Sequence, residues 1–264
     1  MATSKEQSLS NMIYYYEQLG RIINKKVHNP NQLEFPIFLD FYNKNARLCQ
    51  ATMFLLDSKF DEFAPHLIRT STEITVDLGN LAHLKKDYLD ALRYLATLNK
   101  YRTWLPTLQK EKRQKKIRKL EKKVREAKEA LNTDMSFNNK ILQNKFFSFN
   151  DKCELLEEHC NVLPEQIEFS SLRFLFYLTS SKLHSALESI KKYDNKSFYA
   201  DMFAGLLILS AHLLIQYSNL EDSKKVKKTL KSLKKEYNAL LKASEYEFDF
   251  LSIDIDFFSL NEND

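Results

Sequence analysis

Arg173, Tyr177, Ser180 and His184 are spaced four, three and four residues apart in a segment rich in leucine and phenylalanine. Helical spacing puts all four on one face. His184 is then the histidine with hydroxyl groups both one and two turns behind it on the same face. Imidazole titrates near neutral pH, and a neighbouring hydroxyl can orient it. The stripe therefore suits a general base or a phosphate contact. From pattern alone the better reading is an interhelical hydrogen-bond network that fixes register. A second stripe, His66, Arg69, Glu73, Asp77 and Asn80, keeps helical spacing between Leu67, Ile68, Ile74, Leu78 and Leu81. Arg69 and Glu73 are i,i+4 neighbours that can pair along the helix. On the surface such a pair is worth about 0.3–0.5 kcal/mol. Half-buried, it must be fully satisfied.

Charge supplies a third group. Residues 110–129 hold eleven Lys/Arg and four Glu. Lys115, Lys116, Arg118, Lys119 and Lys122 are the candidates there for RNA phosphate contacts, whose affinity comes from counterion release. A solvated helix face has the same composition. Residues 221–242 add eight Lys against three acids, and residues 245–264 carry seven acids and no base. The net charge of +5 is thus two basic segments and one acidic tail on a neutral body.

Composition removes several classes of function. Three glycines in 264 residues cannot build a Gly-rich phosphate loop. They are also too few for the turns of a β-sandwich. Cys153, His159 and Cys160 lie close together, but no second Cys/His pair completes four ligands at a familiar spacing. No metal and no cofactor is expected. The apolar run from Met202 to Ile215 contains Ser210 and His212 and is too short to span a bilayer. His212 reads as a core histidine. Three cysteines and an N-terminus without an apolar leader segment imply free thiols and a cytoplasmic location.

These side chains need helices to position them, and helical periodicity dominates. Breaks at Asn29-Pro30, Asp57-Ser58, Lys85-Lys86 and Pro106 predict helices over about 8–27, 36–56, 61–84 and 87–105. The long basic helix follows over about 107–131. A short helix is expected in 132–149, then one from an Asp151 cap to Cys160. The last three cover about 164–193, 197–217 and 222–244. The fold expected is an all-α antiparallel bundle of nine to ten helices in one domain, 1–244, with the basic helix projecting.

Two narrow stripes mark coiled-coil-like seams. They are Ile117, Leu120, Val124, Ala127 and Leu131 in the basic helix, and Val226, Leu230, Leu233, Tyr237 and Leu240 in the last. The two helices pair with each other, or one pairs with another subunit, which makes a homodimer or a protein partner the expectation and a membrane none. Residues 245–264 alternate acid and apolar side chains, the period of an extended segment. It reads as a tail on its own body, a docking peptide for another protein, or a charge mimic over a basic surface.

Two segments carry a family resemblance. Arg69, Thr70, Ser71 and Glu73 follow the "Arg-Ser-x-x-Glu" helix of an uncharacterised bacterial helical family, with Thr70 where Ser is usual. Phe176 to His184 resembles the same family's "Tyr-Arg-x-Leu-Ser-x-x-Val-His" helix, with Ser180 and His184 matching. The resemblance covers about residues 35–215. That family is similar to the HEPN (higher eukaryote and prokaryote nucleotide-binding) superfamily. The resemblance implies an α-helical, often dimeric protein directed at RNA or a nucleotide, and a metal-independent ribonuclease of a toxin or phage-defence system. It implies His184 as the base, with Tyr177 standing at the place of the superfamily's arginine. Arg69 would then have to supply the positive charge from the other helix. Without it, the implied protein is an inactive adaptor subunit of a larger complex.

Overall fold

The computed structural model describes residues 4–27, 34–58, 63–144, 147–159, 172–173, 176 and 195–243. Eight helices, and no strand, occur among them: α1 (Ser4–Lys26), α2 (Phe35–Leu56), α3 (Ala64–Lys110), α4 (Gln114–Glu129), α5 (Ser136–Asn144), α6 (Phe149–His159), α7 (Asn195–Ser218) and α8 (Lys224–Lys242). The all-α expectation holds. Of the helix expected over 164–193, Leu172, Arg173 and Phe176 are described, and all three are helical. Tyr177, Ser180, His184 and the tail 245–264 lie outside the described residues.

The core forms around α7. This helix is apolar on every side, which only a buried helix tolerates. It packs against α1, α2, α3 and α8. By length and composition Tyr199–Ser218 could cross a membrane, but 89% of its apolar window is buried within the protein. Two of its polar side chains bridge to other helices. Asp201 meets Lys5 of α1 at 2.8 Å, with both side chains under 10% exposed. Ser210 accepts from Asn45 Nδ2 at 2.9 Å.

Asn45 organises the centre. Its Nδ2 also donates to Thr75 Oγ1, and its Oδ1 accepts from Ser71 Oγ, so one amide ties α2 to α3 and α7. Beside it, Tyr16 and Tyr42 stack at 3.8 Å, and each hydroxyl donates to the other's backbone carbonyl. Burial holds both phenols well above their ordinary range, so these donors stay protonated. Gly20 makes the close approach of α1 to α2 feasible, since a Cβ there would lie 2.9 Å from the Tyr42 ring.

Three local expectations need correction. The helix starting at Ala64 does not stop before Pro106; it runs on to Lys110, with the proline inside it. Pro106 is exposed and lies in the last turns of the helix, where the pairing with the following helix carries the chain past it. The basic helix accordingly starts at Gln114, not near Thr107, after a turn in which Lys112 adopts φ 54°. Asp151 is not the cap of α6. Ser148 precedes the helix and accepts from the Asp151 N–H, while the Asp151 carboxylate accepts from Ser148 N and Oγ, a reciprocal capping box.

The break expected at 85–86 appears as a kink rather than a loop. Lys85 has φ 46° and ψ −117° within an otherwise continuous α3. That conformation is one glycine adopts freely and other residues rarely do.

Candidate nucleic-acid interface

The distal part of α3 and the whole of α4 form a helical hairpin. Tyr101, Leu105 and Leu108 on α3 continue the stripe begun by Leu98, and Ile117, Leu120, Val124 and Ala127 answer it on α4. The seam of the basic helix is therefore filled by α3 and not by the last helix. Leu108 and Ile117 are buried yet stand outside the main core cluster. Beyond Leu98 the hairpin buries little besides its own seam.

Everything else on the hairpin faces water. Between Lys100 and Glu129 there are thirteen Lys/Arg and four Glu, and all thirteen cations are exposed. The five expected contacts, Lys115, Lys116, Arg118, Lys119 and Lys122, are among them. Lys123 and Arg125 of the same basic run belong to this surface too, and the pairing of α4 with α3 adds Lys100 and Arg102 to it. Few of the cations are neutralised locally. Lys122 lies 3.6 Å from Glu126 and Arg113 3.4 Å from Glu111, both exposed pairs of small energy. Glu121 accepts from the Tyr101 hydroxyl at 3.3 Å. A rod of α4's sixteen residues is about 24 Å long at 1.5 Å per residue. So dense a cationic surface repels itself and gains from a polyanion that replaces its counterions.

The other seam behaves differently. α8 packs antiparallel on α1, with Lys26 Nζ donating to Ser223 Oγ at one end and Asn11 Nδ2 to Glu236 Oε2 further along. Val226, Leu233, Tyr237 and Leu240 are buried in that contact. Its lysines are exposed and form a second charged face.

The polar stripe of α3 runs from solvent into the core. His66 is exposed, Arg69 and Glu73 are half-buried, and Asp77 and Asn80 are buried. Arg69 Nε lies 4.0 Å from Glu73 Oε1, at the limit of an ion pair. Its guanidinium carbon lies 4.3 Å from the centroid of Phe176, a cation–π contact. Phe176 in turn stacks on Phe149 of α6 at 3.8 Å. The Arg69 face thus meets the start of the segment that carries His184, whose own position is outside the described residues. Thr70 turns its hydroxyl back to the His66 carbonyl, and Ser71 is buried on Asn45.

The inner end of the stripe is structural. Asp77 Oδ1 accepts from Tyr88 OH at 2.5 Å and meets Lys152 Nζ at 2.9 Å. Asn80 Nδ2 donates to the Lys152 carbonyl. Arg173 Nη2 donates to Glu157 Oε2 at 3.0 Å, so it braces the 172–176 segment against α6. Cys153 is buried, and burial pushes its thiol up to about 12 despite Arg173 nearby. No group of three or more His, Cys, Asp or Glu side chains able to hold a metal occurs among the described residues. His212 is half-buried against α8; burial, then the Lys234 charge, lowers it to about 4.

A concavity of about 520 Å³ lies between α1 and α2, lined by Glu6, Glu17 and Asp57 together with Leu9, Ile13 and Met53. None of the residues expected to act on a substrate lines it.

No protein-family model, no curated protein and no solved structure matches the chain.

Proposed function

We propose that this all-helical chain is a nucleic-acid-directed protein that holds phosphates along the α3–α4 hairpin. The observation that carries the reading is the surface of thirteen exposed cations and four acids on two helices that spend their apolar side chains on each other. Such a surface supplies affinity without base readout. The resemblance to HEPN proteins adds metal-independent RNA cleavage, with His184 as base and Arg69 stabilising developing charge on the phosphate. The Arg69–Phe176 contact supports that addition, because it joins Arg69 to the segment preceding His184.

Two experiments test the two parts separately. Binding of labelled RNA is compared for wild type and for a variant with Lys115, Lys116, Arg118, Lys119 and Lys122 all changed to Gln. The variant is expected to bind at least tenfold more weakly with unchanged helicity; equal affinity rejects the interface. Wild type and His184→Ala are then incubated with total RNA in chelator. Cleavage by wild type alone supports the catalytic part, and equal cleavage or none removes it.

A second reading, a non-enzymatic adaptor, has its own support in two exposed aromatic rings, Tyr14, 55% exposed and lining the acidic concavity between α1 and α2, and Phe54 of α2, 74% exposed. It predicts that deleting 245–264 or changing Phe54→Ser alters oligomeric state by light scattering. An unchanged mass in both variants counts against it.

A further inference from the structure

We infer that the hairpin takes unpaired nucleic acid, with Trp104 as a platform on which a base stacks. This rests on the reading of the hairpin as a phosphate site and sharpens it to a class of ligand.

Trp104 is the chain's one tryptophan, and it is 53% exposed on the distal part of α3. Its place on the hairpin follows from the seam. Trp104 comes one residue before Leu105, just as Lys116 comes before Ile117 and Lys123 before Val124. In an antiparallel helix pair, equivalent flanking positions of the two stripes lie on the same side. That side holds Trp104 between Lys116 and Lys123. Lys100 lies one turn back from Trp104, and Lys119 one turn from Lys116 and Lys123. The opposite flank, with Arg102, Arg118, Arg125, Lys128 and Glu121, is as basic but presents no exposed aromatic ring, and Glu126 joins the lysines on the indole's side. The indole thus sits on the flank where four lysines gather.

Lysines spaced along a groove with an aromatic ring between them are what a flexible single strand uses. The lysines follow its phosphates, and every base offers a π-face to the ring. Lys116 and Lys123 are about 10 Å apart along α4, the rise of about three stacked nucleotides. A duplex would use the same lysines but leave the indole idle, because its bases are stacked on one another. A lipid surface fits less well, since Trp104 is the one large apolar side chain exposed on this flank and anchoring takes a broad apolar face.

The lone tryptophan is its own reporter. The full chain is titrated with oligouridylate, and with an RNA duplex of equal length, while indole emission is followed. Labelled versions of both ligands are then bound to Trp104→Ala and Trp104→Phe. The expected result is quenching by the single strand, and a loss of about tenfold in single-strand affinity for W104A. Phe restores most of that affinity, and duplex affinity is the same in all three proteins. W104A binding both ligands as wild type does, or losing both equally, overturns the inference while leaving the phosphate site standing. Binding of neither ligand by wild type at low salt overturns both.

Discussion

The ammonium of Lys152 lies 2.9 Å from Asp77 Oδ1, the same oxygen that accepts the Tyr88 hydroxyl bond. Asp77 precedes the Lys85 kink, Tyr88 follows it, and Lys152 comes from α6. One carboxylate oxygen therefore clamps both sides of the kink to a neighbouring helix. Burial, with the Asp77 charge beside it, raises the Tyr88 phenol well above its ordinary range, so it remains a donor. The inner half of the α3 stripe builds the scaffold, and what it scaffolds is the exit of the basic hairpin.

Removing that oxygen leaves a mostly buried ammonium and a buried hydroxyl unpaired. Asp77→Ala is expected to lower unfolding free energy by about 2–3 kcal/mol. Asp77→Asn keeps an acceptor for Tyr88 and should lose less. Urea unfolding followed by circular dichroism measures both, and equal stability of all three proteins contradicts the clamp.

The kink itself stores strain at Lys85, whose φ of 46° with ψ −117° is a region glycine favours. Lys85→Gly is expected to raise the melting midpoint, with about 1 kcal/mol gained from relieved strain net of glycine's greater unfolded-state entropy. A lowered midpoint contradicts the strained conformation.

His212 makes stability depend on pH in a definite direction. Its folded value of about 4 lies below the ordinary 6.5. Well above pH 6.5 both states are neutral and the group contributes nothing. As pH falls from 6.5 toward 4 the unfolded chain takes the proton first, so stability is lost. The loss should approach about 3 kcal/mol. The difference in unfolding free energy between wild type and His212→Gln should therefore change across that window and be flat above it. A difference that is flat throughout contradicts the burial of a neutral imidazole.

Thr52 is fully buried, and its Oγ1 has no hydrogen-bond partner among the described residues. Thr52→Val keeps the shape and removes the unmatched hydroxyl. It should stabilise the fold by about 1 kcal/mol in the same urea assay. Destabilisation contradicts the unmatched hydroxyl.

Much of this architecture was legible in local pattern. The break near Lys85, the short helix within 132–149 and the limits of α2, α7 and α8 follow from periodicity, turn residues and Pro36. Pro106 reads locally as a stop, whereas the helix runs on to Lys110 because its end is packed against α4, which is a tertiary fact. The Asn45, Ser71, Thr75 and Ser210 cluster was invisible, since its members sit on three helices and up to 165 residues apart. The α4 stripe announced a seam without naming its partner. Only the pairing with α3 brings Lys100, Arg102 and Trp104 to the basic surface. The Arg69 stripe was legible as a face, but not that its inner end is buried in bonds while Arg69 reaches Phe176.

The most direct test of the hairpin as a phosphate site is the slope of the logarithm of RNA affinity against the logarithm of potassium chloride concentration. Each phosphate contact to a single strand contributes about −0.7 to that slope. A hairpin engaging several phosphates predicts a slope of about −3 or steeper, falling toward zero when Lys115, Lys116, Arg118, Lys119 and Lys122 become Gln. A wild-type slope near zero, or one the five substitutions leave unchanged, contradicts the account.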